Sequence, residues 1–335
     1  MVGRFGRWPE WVGTAARTWA VVYGAMACYW IAGGRRGFPI ANVEGDPAGG
    51  PAVATAISVV LAIGCAAALV LARSVSRIAV GGLVFATATA AMGTFGLVLS
   101  AVGIVASGAI ERPLALISQS VALVGAVLLS STAQVQSRRR RSRCPRCGRH
   151  HPLPLRPESP LIRPRPRPSA PRTRRTAYLL LLLLLPWATV KSVWMLGGSA
   201  LGVTATEWTA TTSTSDQSWL SRELSRAGID ITVLAAIAGA ALILLLLHTA
   251  SAPRWLLLFP AATAAVSLTL YGVPLTIWGT FALTGIAPTD TDPAPFTPNG
   301  LAAMILFGGT AFTALGTALT IAAHSHHHRT RPTCT

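Results

Sequence analysis

The chain is short of charge. Asp, Glu, Lys and Arg make up 12% of its 335 residues, against about a quarter in a soluble globular protein. Lysine is nearly missing: 27 of the 28 basic residues are Arg, and the remaining one is Lys191. There are eleven carboxylates, none near the middle of an apolar block. That shortage argues against a proton-coupled pump, which relies on ionisable groups within the membrane. No Ser/His/Asp set, phosphate-binding glycine loop or facing carboxylate pair can be assembled, so the chain reads as non-enzymatic. There are five cysteines. Cys28 and Cys65 fall in apolar segments, where a thiol behaves as a small hydrophobe. Cys144, Cys147 and Cys334 fall in segments read as cytoplasmic, where thiols stay reduced. A disulfide framework is not expected.

Hydrophobicity is what the chain has in quantity, at 52% of residues with a mean hydropathy of +0.53. It comes in blocks long enough to cross a bilayer, which takes about 20 apolar residues per helix. Eight blocks run roughly over 16–33, 54–72, 78–105, 114–136, 177–197, 229–249, 255–284 and 299–323. They predict an all-α integral membrane protein with eight transmembrane helices. Pro260 and Pro274 mark kinks in the seventh. The first block ends in "YWIAGG" with no small-x-small cleavage site before a polar start, so it reads as a retained helix, not a signal peptide.

Arginine sets the orientation. Fourteen Arg lie between residues 138 and 175, and basic residues flanking membrane crossings are kept on the cytoplasmic side. With the N-terminus inside, 22 of the 28 basic residues are cytoplasmic, while Arg35, Arg36, Arg112, Arg222 and Arg226 are outside. The expected protein is multi-pass in the cell membrane with both termini cytoplasmic.

The second half echoes the first. "ACYWIAGG" (27–34) aligns with "KSVWMLGG" (191–198), matching Trp30 with Trp194 and Gly33-Gly34 with Gly197-Gly198. "ISVVLAIGCAAALVL" (57–71) aligns with "ITVLAAIAGAALILL" (231–245) at seven of fifteen positions. "FGLVLSAVG" (95–103) aligns with "YGVPLTIWG" (271–279), matching Gly96 with Gly272 and Gly103 with Gly279. Three blocks in one order, at offsets of 164, 174 and 176, predict a tandem duplication. Each unit would hold four helices, an even number, so the repeat would be parallel. The expected organisation is a first four-helix unit (1–136), a basic Pro-rich cytoplasmic linker (137–176), a second four-helix unit (177–323) and a His-rich cytoplasmic tail (324–335).

A four-helix unit whose first helix closes with "YWIAGG" resembles an uncharacterised family of small bacterial integral membrane proteins carrying a Tyr-Trp-x-x-Gly-Gly segment there. The resemblance covers each half, roughly 14–136 and 177–323, and implies four helices per unit. The second copy departs from it with Val193 in place of Tyr29.

Trp30, Gly33, Gly34, Trp194, Gly197 and Gly198 form the structural motif. As the default, the indoles anchor at the lipid–water boundary and the glycines stop the helices; alternatively, both Trp line a paired outward-facing pocket. Gly96/Gly103 and Gly272/Gly279, seven apart, each share a helix face and favour close packing. Lys191 lies near enough to the outer end of its helix to snorkel, and Asp230 stands at the entrance to the sixth block. Ser118, Gln119 and Ser120 make the most polar patch of the fourth. Thr310, Thr313, Thr317 and Thr320 of the eighth can bond back to their own helix.

The linker opens "SRRRRSRCPRCGRHHP". "CPRCG" is a turn that presents two thiolates to one zinc ion, Cys144 and Cys147 having the spacing of structural sites. Two completions are open: His150 and His151 directly, or a bridge to the tail through His326, His328 and Cys334. Zinc is the one cofactor the residues suggest. The rest of the linker, "RPRPRPSAPRTRR", is Pro-rich and extended. Its arginines suit anionic lipid headgroups, and without aromatic stacking platforms nucleic acid is not an expected partner. The leading functional reading is a structural or interaction component of the membrane. The second is a transporter or channel for a neutral or apolar small molecule at the interface of the halves. The third is a metal-responsive membrane sensor.

Overall fold

The computed structural model describes residues 8–43, 46–47, 50–94, 96–97, 100, 104, 110, 113–145, 148, 161–162, 169–212, 230–249, 254–287, 296–330 and 333–334. Among them the chain is all-α apart from three two-stranded ribbons. It divides into two compact units. The first holds α1 (Trp8–Ile31), the ribbon β1 (Ala41–Val43) with β2 (Asp46–Pro47), α2 (Gly50–Leu71), α3 (Arg77–Met92), α4 (Pro113–Arg140), and the antiparallel pair β3 (Leu161–Ile162) and β6 (Thr333–Cys334). The second holds α5 (Pro171–Leu182), α6 (Leu185–Met195), β4 (Ser199–Ala200) with β5 (Val203–Thr204), α7 (Ala205–Thr212), α8 (Ile231–His248), α9 (Arg254–Leu283) and α10 (Pro298–Arg329).

In the first unit each helix packs on its neighbours in a closed ring, α1 on α2, α2 on α3, α3 on α4 and α4 back on α1. The spacing of α1 explains its place. Val12, Ala16, Trp19, Tyr23, Ala27 and Trp30 are buried and recur every three or four residues, which puts them on one stripe. Small residues let the helices approach closely around stacked Trp19 and Tyr23 rings, 5.1 Å apart. In lipid such packing, with hydrogen bonds, holds helices together. Two buried glutamines of α4 supply those bonds: Gln119 Nε2 donates to Pro39 O at 2.7 Å, and Gln136 Nε2 to Ala72 O at 2.8 Å and Leu71 O at 3.1 Å.

The second unit centres on antiparallel α9 and α10. Gly279 lies where a Cβ would come within 2.6 Å of Leu306 N, and one on Gly272 would meet Gly309 O at 2.8 Å. Glycine is required at both, because backbone of the facing helix fills the space. Thr276 Oγ1 bonds Gly272 O at 2.8 Å and Thr317 Oγ1 bonds Thr313 O at 2.7 Å, so these hydroxyls turn back on their own helices. α8 packs chiefly on α10, where Gly239 faces Leu315.

Among the described residues four helices, α2, α4, α9 and α10, are long and apolar enough to cross a membrane; α5 and α6 together make a fifth if counted as one span bent by 42°. Pro186 causes the bend, having no N–H to give and a ring that crowds the preceding turn. Pro260 and Pro274 leave α9 a single helix. Among the described residues no other helix meets both the length and the hydropathy of a span. α3 has 16 residues and ends at its C-cap Gly93, so it spans about 24 Å against a hydrocarbon core of about 30 Å. The block read as 78–105 is therefore not one helix. A Cβ on Gly93 would sit 2.6 Å from Tyr23 Oη and 2.8 Å from Ala122 Cβ, so α3 ends wedged between α1 and α4. α1 is long, but Glu10, Thr14, Arg17 and Thr18 dilute its hydropathy, and α8 is short. Large apolar side chains point outward on several helices, including Val70 at 75% exposure and Ile78 at 80%. An aqueous surface rarely carries so much continuous apolar area; a lipid-facing one does.

Two expected boundaries move. α4 runs through Arg138, Arg139 and Arg140, whose charges suit a helix C-terminus. Residues 324–329, expected in a tail, form the last turns of α10.

Candidate functional site

The matched motifs adopt one geometry. In the first unit Gly34 N–H donates to Tyr29 O at 3.0 Å and Gly33 N–H to Trp30 O at 3.1 Å; in the second, Gly198 N–H donates to Val193 O at 2.9 Å and Gly197 N–H to Trp194 O at 3.0 Å. These are the paired bonds of a Schellman cap. The cap requires a left-handed residue, and Gly33 (φ 91°) and Gly197 (φ 81°) provide it. The next glycine makes room for a side chain one turn back: a Cβ on Gly34 would strike the Tyr29 ring, and one on Gly198 would lie 2.8 Å from Val193 Cγ1. Val193 thus covers its glycine as Tyr29 does.

The two indoles are not exposed anchors. Each is 4% exposed. Trp30 Nε1 donates to Arg36 O and Trp194 Nε1 to Val203 O, both at 3.1 Å, so each pins the loop that follows its helix. Trp30 meets Tyr23 and Phe38 edge-on, while Trp194 stacks on Trp208 at 4.4 Å and meets Phe296.

The second unit adds a charged centre. Lys191 does not snorkel; it is 3% exposed. Its Nζ lies 2.7 Å from Asp230 Oδ2 and over three indoles, 3.8 Å from the Trp208 ring centre, 5.5 Å from Trp194 and 5.8 Å from Trp187. Asp230 caps α8, its Oδ1 accepting from Thr232 N at 2.8 Å and Thr232 Oγ1 at 2.6 Å. One carboxylate oxygen holds the lysine and the other starts a helix. The signal was present in the spacing: Trp187 and Trp194 stand four before and three after Lys191, on one helix face. Trp208 arrives on α7, which begins with a reciprocal cap. Thr204 N–H donates to Glu207 Oε2 at 2.8 Å, and Glu207 N–H donates to Thr204 Oγ1 at 3.3 Å. The Thr204 backbone and hydroxyl donors hold the Glu207 carboxyl below its ordinary value.

A cation between ring faces and one carboxylate is the arrangement that recognises ammonium groups. Here the chain's own lysine fills it, making an internal lock between α6, α7 and α8.

The metal candidates fare unevenly. Cys144 is a half-buried free thiol; Cys147, His150 and His151 lie outside the described residues. Cys334 stands on β6, whose backbone pairs with β3 of the linker, so linker and tail do meet there. His326 and His328 cannot share an ion. His326 is buried, its Nδ1 donating to Leu246 O at 3.2 Å, whereas His328 is exposed; two residues apart on a helix they face opposite ways. Among the described residues no group of three or more His, Cys, Asp or Glu side chains converges.

No family model matches the chain, and neither curated proteins nor solved structures give a match.

Proposed function

We propose that the chain is a non-enzymatic, multi-pass protein of the cell membrane, a structural or interaction component built as a tandem repeat of two like-oriented four-helix units. Eight helical segments would cross, with both termini and the arginine-rich linker cytoplasmic and the linker lying on anionic headgroups. The observation that carries this reading is the twin cap: α1 in one unit and α6 in the other close with the same backbone bonds, a left-handed glycine and an indole bond to a later carbonyl. The filled interiors support a static role, since Tyr23, Leu61, Leu83 and Leu129 in one unit and Ile243, Leu246 and Leu319 in the other are almost wholly buried. Reporter fusions test the topology: residues 150 and 335 should report from the cytoplasm and residue 216 from outside. Residue 150 reporting from outside would end the account.

One observation favours a second reading, carriage of a neutral or apolar molecule. A cleft of about 210 Å3 in the second unit is lined by Leu180, Leu183, Val273, Ile277, Thr310 and Thr313, among others. Solute flux into proteoliposomes separates the two. The structural reading expects the rate of protein-free vesicles, and faster entry of a neutral solute would replace it with the carrier.

A further inference from the structure

The end of α10 carries four histidines in five positions, and the helix sorts them by face. His326 turns inward and shares Leu246 O with Arg329, whose Nη2 donates at 2.5 Å. His327 turns to α9, where Arg254 Nη2 donates to its Nδ1 at 3.0 Å and its carbonyl at 3.3 Å. His324 and His328, one turn apart, are exposed, with ring centres 4.4 Å apart and planes inclined by 61°. Arg254 and Arg329 each donate to a carbonyl of a neighbouring helix, His327 O and Leu246 O.

We propose that His324 and His328 form a two-imidazole site for a divalent transition-metal ion, with water in the remaining positions. Two histidines four apart on one helix face are the arrangement by which helical zinc motifs supply two ligands to one ion, and imidazole suits Zn, Cu and Ni. A ligating nitrogen lies about 2.0–2.1 Å from such an ion and about 1.1 Å from its ring centre, so rings at a right angle have centres roughly 4.5 Å apart, and at the tetrahedral angle roughly 5.2 Å. The 4.4 Å between the two ring centres lies within reach of two imidazoles on one ion. The site needs neither the linker cysteines nor the eight-span topology.

The test uses the full chain in nanodiscs, without a histidine tag. Ni2+ is titrated calorimetrically, and Cu2+ is followed by electron paramagnetic resonance, which counts equatorial nitrogens. One ion per chain with two nitrogen ligands is expected. H324A and H328A should each abolish the two-nitrogen signal, while H327A, which removes a ring that meets His328 edge-on at 5.7 Å but supplies no ligand, should keep it. C144S/C147S should also keep it. Monodispersity and melting of each variant confirm that the helix end remains folded. Persistence of the signal in H324A/H328A, its equal loss in H327A, or its loss in C144S/C147S alone would overturn the site.

Discussion

The two units spend the same helix positions differently. At the offset that matches Trp30 with Trp194, Lys191 corresponds to Ala27 and Trp187 to Tyr23; at the next offset Asp230 corresponds to Ala56. The first unit therefore holds alanines where the second holds its ion pair. Ala27 is fully buried in an apolar cluster that includes Tyr23, Trp30 and Phe38. The second unit replaces that neutral contact with a lysine locked among three indoles. The capping turn is alike in both, being written in backbone bonds and glycine. The packing differs, being written in side chains. Backbone chemistry can persist under sequence change that rewrites a core.

The largest test strikes that difference. Lys191→Met leaves the Asp230 carboxylate buried and unpaired, and should cost about 3–5 kcal/mol in unfolding measured in detergent. Lys191→Met with Asp230→Asn should recover most of it, since Met fills the lysine stem and Asn keeps the cap of α8. If the double variant is as unstable as the single, the lock is not an ion pair. Next comes helix approach. Gly279→Ala drives a Cβ onto Leu306 N and should lose about 1–3 kcal/mol by overpacking, whereas Gly81→Ala in the first unit, where nothing lies within 4 Å, should lose nothing and gain up to about 1 kcal/mol of helix propensity. Equal losses would refute the contrast. Trp30→Phe and Trp194→Phe sharpen the likeness instead: each forfeits one indole bond, about 1 kcal/mol, and the two should match. The smallest effect is at Glu207. Its carboxyl titrates below the ordinary range, so the cap is intact at neutral pH and is lost as pH falls through that lowered value. Protection factors of α7 amides should drop on acidification in the wild type and stay flat in Glu207→Gln.

Composition made the helical, membrane-type architecture legible, and glycine pairs made the caps legible, because those properties follow from local chemistry. The length of α3 was not legible: Gly93 reads as one more small residue in an apolar run, and its tight fit against Tyr23 and Ala122 is visible only in three dimensions. Lys191 misled for a related reason. Taken with its helix alone, it sits close to an end and can reach water; its actual partners, Asp230 and Trp208, lie 39 and 17 residues away in sequence. The bend at Pro186 was within reach, yet Pro260 and Pro274 drew the kink expectation, and they are accommodated within a continuous helix. The histidine run read as a tail because its composition is polar, whereas its period places one ring inside and two outside.

The indole pin has a consequence for loop evolution. Trp30 reaches a carbonyl six residues on, and Trp194 one nine residues on. Each helix end is thus moored close to its own stop, and chain inserted beyond the mooring carries no leverage back into the bilayer. A tag placed past Thr212, beyond both the mooring and the Trp208 ring that covers Lys191, should leave α6 in register.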